Sequence, residues 1–169
     1  GLLEISGVTG LYPPFYHSVV AAFYYAFGVA SESAQLANLP ATAILVGTTY
    51  AIGRSVLPPD RAALASAITG FYPMLLWLSR ESTIDYWLAA MVTLAMWLLI
   101  ESDGFRKRSI GLLFGVVCGL GMLTKPTFAL FLALPALWCA RTRWKEAMPA
   151  GVIALIIASY WYLPNYDAL

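Results

Sequence analysis

Apolar runs long enough to approach a bilayer crossing alternate along this chain with short polar stretches. A spanning helix takes about 17–25 residues, and six runs fall at 36–52, 62–78, 84–100, 110–123, 127–140 and 148–163. The fourth and fifth are short and flank Thr124-Lys125-Pro126. Pro126 lacks an N–H and disfavours helix at the residue before it, so a turn is expected there, not one long helix. Pro40 falls in the first turn of its run, where a missing N–H is tolerated, and Pro135 is expected to kink the fifth. A further apolar run starts at Phe15 and ends near Gly28. As a helix it is only about 20 Å long, against a hydrocarbon core of about 30 Å. It carries Tyr16, His17, Tyr24 and Tyr25, whose polar tips favour the interface. It reads as a helix lying on or dipping into the outer leaflet. The alternative is a true span, which would put 12–17 on the cytoplasmic side. The expected fold is all-α: a polytopic membrane helix bundle of about six spans plus an interfacial helix. Residues 1–169 form one transmembrane domain, with 1–30 as outer-face loop and interfacial helix and 36–163 as the spans.

Composition agrees with that class. The 169 residues are 60% hydrophobic and 11% charged, whereas a soluble domain has roughly 45–50% apolar and about 25% charged residues. The net charge of +1 offers no polybasic footprint, so nucleic acid is excluded as a partner. Cys118 and Cys139 lie in apolar runs and read as small buried hydrophobes. A single His cannot build a multi-His zinc site. The chain begins with Gly1 and ends just past an apolar run, so it reads as an internal piece of a longer protein.

The cations sort by side. Arg54, Arg61, Arg106, Lys107, Arg108, Arg141, Arg143 and Lys145 fall in alternate loops, so six spans place all eight together. The positive-inside rule makes that side cytoplasmic. Arg80 and Lys125 are left for the outer side. Gly111, Gly115 and Gly119 share one helix face and predict a close helix–helix approach. Trp77, Trp87, Trp97, Trp138, Trp144 and Trp161 lie mostly near span ends and read as interfacial anchors.

Chemistry concentrates on the outer side. The loop Ser79-Arg80-Glu81-Ser82-Thr83-Ile84-Asp85 is charged although it is short. With Lys125, the Tyr12–His17 segment and Trp161-Tyr162-Leu163-Pro164-Asn165-Tyr166, it brings four separate stretches to one membrane face. Simpler readings exist: Lys125 snorkelling to the interface, Asp85 capping its helix, Arg80 pairing with Glu81 or Asp85, and His17 as an interfacial histidine. Ionisable groups beside spans are functional candidates by default. Arg and Lys suit a phosphate or pyrophosphate head group, and carboxylates suit a metal ion or an acceptor hydroxyl or amine. The combination suggests group transfer from a lipid-linked phosphate donor.

These stretches resemble the membrane glycosyltransferases of the GT-C type, within them the protein O-mannosyltransferase and lipid A aminoarabinose transferase group. Tyr12-Pro13-Pro14-Phe15-Tyr16 is similar to the family's His-Pro-Pro-Leu-Tyr motif. Ser79-Arg80 followed by Asp85 matches its Ser-Arg…Asp pattern at the same spacing. Gly115 to Lys125 resembles its Gly-rich helix ending in Thr-Lys, and Trp161-Tyr162 with Asn165 its Trp-Tyr…Asn stretch. The resemblance implies a polyprenyl-phosphate-linked sugar donor and inverting transfer of a hexose or pentose on the non-cytoplasmic face. It places Lys125, with Arg80, at the donor phosphate and makes Asp85 an auxiliary acid. It makes Tyr12, Pro13, Pro14, Tyr16, His17 and Asn165 the lining of the substrate site. The family's catalytic Asp lies upstream of the proline motif; nothing before Tyr12 matches it, and Glu4 stands alone. The expectation is therefore a fragment lacking the catalytic base and inactive by itself. Cofactors stay open, a divalent metal in the full-length protein included, as does the acceptor. The competing readings are a secondary transporter, which should show two related halves with broken helices, and a structural membrane subunit.

Overall fold

The computed structural model describes residues 13–165, and among these it contains nine α-helices and no strand. In order they are α1 (Phe15–Phe27), α2 (Ser31–Leu36), α3 (Leu39–Arg54), α4 (Pro59–Gly70), α5 (Pro73–Arg80), α6 (Ile84–Glu101), α7 (Arg108–Met122), α8 (Phe128–Ala140) and α9 (Trp144–Tyr162). Two stretches are long and apolar enough to cross a membrane: Ser31–Arg54, where α2 runs on into α3, and α6. A third is added if α4 and α5 count as one bent span. α7 and α8 are shorter apolar helices, about 22 and 20 Å long. The all-helical architecture is as expected, while the spans recognisable by length and composition are fewer than six.

The 62–78 run needs correcting, because it is not one helix. α4 ends at Gly70, α5 begins at Pro73, and the two are bent by 53°. Pro73 has no N–H to continue the ladder and pushes Tyr72 into extended backbone (φ −62°, ψ 124°). Pro40 sits in the first turn of α3, and the chain turns at 123–127 between α7 and α8.

Interhelical hydrogen bonds fix the directions. Thr42 meets Tyr86 (2.8 Å) and Thr48 donates to Thr93 (3.0 Å), so α3 and α6 run parallel. Ser66 donates to the carbonyl of Val46 (2.7 Å), and Gly53 lies against Ala62, so α4 returns antiparallel along α3. α7 and α9 are parallel, Gly115 facing Ala150 and Gly119 facing Ile157. This is the close approach the glycine spacing predicts, whereas Gly111 faces the Phe105 ring. Two cores share α6: Met91, Leu98, Phe114, Val117 and Phe128 on one side, Tyr16, Leu45, Tyr86 and Trp87 on the other. At the α6–α7 hairpin Ser102 is fully buried; its Oγ accepts the Phe105 N–H and seats that ring on Phe114.

Alternating helices thus collect the Arg80, Asp85 and Lys125 loops at one end, and Arg54, Arg108 and Arg141 at the other. In the full-length protein, cysteines at Ser82 and Lys107 should react with an impermeant maleimide from opposite faces of the membrane. Reaction of both from one face would refute this arrangement.

Candidate functional site

The last carbonyls of a helix lack partners within it and must find them elsewhere. At the end of α7 the following turn takes Gly119 O and Gly121 O, and three further carbonyls are met by three different segments. The Thr124 hydroxyl donates to Leu120 O (3.0 Å), the Tyr162 hydroxyl to Met122 O (2.9 Å), and the Phe15 N–H to Leu123 O (3.1 Å). These bonds draw the start of α1, the end of α9 and the α7–α8 turn to one point. Gly121 permits the turn: a Cβ there would run into the ring of Phe128, itself buried against it.

Lys125 projects from this turn, and its Nζ donates to Asp85 Oδ1 at 2.7 Å. The lysine side chain is 28% exposed and the aspartate 54%. Asp85 lies in the first turn of α6, where its charge complements the helix dipole. It is not the cap: Thr83 holds that position, makes no side-chain capping bond, and keeps its Oγ1 buried without a partner among the described residues. Lys125 is likewise engaged with a partner across 40 residues of sequence, beyond simple snorkelling. An ion pair this open contributes about 0.2–1 kcal/mol, so an incoming anion can exchange it at small cost.

The proline segment reaches the same end. Pro13 is fully buried, Phe15 packs edge-on against Trp87 at 5.6 Å, and Tyr16 is buried. Burial raises the Tyr16 phenol above its usual pKa of 10.0, and its hydroxyl has no hydrogen-bond partner among the described residues. His17 is exposed, edge-on to Tyr16 at 5.5 Å. Arg80 is exposed at the end of α5, and among the described residues it forms no ion pair with Glu81 or Asp85. Asn165 folds back on its own helix, donating to Trp161 O (2.9 Å). Tyr12 and Glu4 lie outside the described residues. Among the described residues no three His, Cys, Asp or Glu side chains gather to hold a metal ion.

The family model of dolichyl-phosphate-mannose-protein mannosyltransferases matches residues 12–162. The chain belongs to that family. Among the relatives of this mannosyltransferase-family chain are undecaprenyl phosphate-alpha-4-amino-4-deoxy-L-arabinose arabinosyl transferases. Those of Pseudomonas paraeruginosa (strain DSM 24068 / PA7) and Pseudomonas aeruginosa (strain UCBPP-PA14) are each 30% identical over 149 residues, which is 82% of this chain and 27% of the relative. Transferase 2 of Sodalis glossinidius is 36% identical over 101 residues, 56% of this chain and 18% of the relative. The chain therefore spans about a quarter of the length of the curated relatives it matches. No solved structure matches it.

The structure adds residues that the sequence reading passed over. Trp87 is not an interfacial anchor: it is buried against Phe15, and its indole N–H donates to Ala37 O (3.2 Å). Trp77, Trp138 and Trp144 remain exposed as anchors would be. Asn38, buried at the start of α3, donates to the carbonyls of Ser79 (3.0 Å) and Glu81 (2.9 Å). An Asn two residues before a proline marks a helix start, but nothing local reveals partners so far along the chain.

Proposed function

We propose that the full-length protein is an integral membrane glycosyltransferase that moves a sugar from a polyprenyl-phosphate donor to an acceptor. The transfer takes place on the non-cytoplasmic face of a bacterial membrane. The reading is supported chiefly by one observation, the Lys125–Asp85 pair across 40 residues at the end where Arg80, Pro13 and Tyr16 also stand. Family membership and the undecaprenyl-phosphate sugar transferases among the relatives agree with it. In this reading six crossings place that end outward and α1 lies along the outer leaflet. Phe15 is held at the Asp85 end by α7, and Asn38, soon after Phe27 and α2, is held there by α5.

In the transfer, the acceptor's nucleophilic atom bonds to the anomeric carbon as the bond to the phosphate oxygen breaks. The polyprenyl phosphate leaves with the electron pair. Lys125 has two further N–H donors beyond the one on Asp85, and Arg80 offers a planar fork. Both stabilise charge developing on the phosphate. Asp85 orients Lys125 and moderates its charge. The base that takes the acceptor's proton is assigned to a residue outside the described ones. A divalent metal, if the full-length protein uses one, would find the Asp85 carboxylate at this end, and no step is routed through it.

The reading is tested by reconstituting the full-length protein in liposomes with a polyprenyl-phosphate-linked sugar and following its consumption. Turnover should appear with the wild type and fall in Asp85→Asn. Wild-type turnover in that variant would remove Asp85 from the site, and no consumption of any polyprenyl-linked donor would remove the function.

A further inference from the structure

Asn38 stands where a helix cap would stand, yet caps a different helix. It immediately precedes α3, and its side chain makes no bond to that helix. Both hydrogens of its amide instead cross to the end of α5, one to Ser79 O and one to Glu81 O. Only the NH2 group can face two carbonyls, so the orientation of the amide is unambiguous. Its Oδ1 is left buried with no hydrogen-bond partner among the described residues. An orphaned buried acceptor is costly, and here it accompanies two bonds to carbonyls that α5 cannot satisfy itself. Those two carbonyls flank Arg80. The neighbouring Ala37 carbonyl takes the Trp87 indole N–H, and Thr42 meets Tyr86. The start of α3 therefore grips both sides of the loop: the end of α5 that carries Arg80 and the start of α6 that carries Asp85.

We infer that Asn38 is a positioning residue for donor binding: by bracketing the Arg80 peptide it aims the Arg80 guanidinium at the lipid-linked phosphate. The inference rests on the glycosyltransferase reading. It requires that loss of Asn38 be felt through Arg80, and not as a general loosening of the fold.

The test compares Asn38→Ser, which keeps one donor, with Asn38→Ala and Asn38→Asp, which keep none, in the full-length protein. The KM for the polyprenyl-phosphate sugar should rise about tenfold in Ala and Asp and by an intermediate factor in Ser, with kcat little changed. In an Arg80→Ala background, Asn38→Ala should add less than about a twofold further rise, since coupled residues are non-additive. The full factor appearing again in that background, or a donor KM unmoved by all three substitutions, would overturn the inference. If Asn38→Ala does not fold, Asn38→Ser carries the same comparison, its intermediate factor again being absent in the Arg80→Ala background. A readout independent of turnover is the maleimide labelling rate of a cysteine at Ser82, which should increase several-fold in Asn38→Ala. An unchanged rate overturns the loop role while leaving the glycosyltransferase reading standing. A faster rate in a protein whose wild type transfers no sugar overturns that reading and, with it, the donor role of Asn38.

Discussion

Replacing Lys125 by Met should lower sugar transfer by the full-length protein by about 10²–10³-fold, the usual cost of removing one donor that stabilises developing negative charge. The loss should not come from unfolding. The Lys125–Asp85 pair is half open to solvent, so breaking it costs about 0.2–1 kcal/mol. The turn is held by other groups, the buried Thr124 and the Phe128 ring over Gly121. Thermal melting in detergent should therefore barely move while turnover collapses. Lys125→Arg keeps the charge but not the compact ammonium and should recover only part of the activity. Asp85→Asn should behave differently: freed from its carboxylate, Lys125 should hold the donor as tightly or tighter, so the defect should fall on kcat with donor KM unchanged or lowered. Equal losses of donor affinity in Lys125→Met and Asp85→Asn would mean that the aspartate itself contacts the donor. Activity retained in Lys125→Met would take the lysine out of the site.

The residues that form this pair were legible because local rules single them out. Pro126 ends one helix and Lys125 sits at the break, while Asp85 opens an apolar run after a polar loop. What stayed hidden was their contact, since no spacing rule reaches across 40 residues. Asn38 was hidden for the same reason: its partners lie in a loop 41 and 43 residues further on. Other differences were readable but outweighed. Pro73 obeys the same proline rule as Pro126, yet the apolar run around it was long enough to pass for a single unbroken helix. Trp87 sits near a helix end, where the anchor reading is natural, and only the packing of Phe15 against it makes it core. The tripled glycine spacing announced a close approach but not its partner. That partner is α9, whose direction depends on the turns at both ends of α8.

Gly115→Ala should be among the most damaging single methyls at the described glycines. A Cβ at Gly115 would lie 2.8 Å from the Ala150 Cα and 2.9 Å from its carbonyl carbon. Both are backbone atoms of α9, so no rotamer change relieves the clash, and the two helices must separate. Overpacking usually costs about 1–3 kcal/mol, and a clash against backbone belongs at the upper end of that range. Gly119→Ala meets the Ile157 Cβ at 2.6 Å and should be nearly as harmful. Gly151 provides the control: it lies within α9, and a Cβ added there would have nothing within 4 Å. Gly151→Ala should leave stability unchanged or raise it by up to about 1 kcal/mol through helix propensity. Thermal melting of the purified full-length protein ranks the three. The damage should reach the site as well, because Tyr162 on α9 holds Met122 O, three residues before Lys125. Separating α7 from α9 frees that carbonyl and lets the turn move, so the fraction of Gly115→Ala protein that stays folded should show weakened donor binding. Gly115→Ala melting like Gly151→Ala would mean that α7 and α9 do not meet at these glycines, and the end of α7 would lose its claim to hold Lys125 in place.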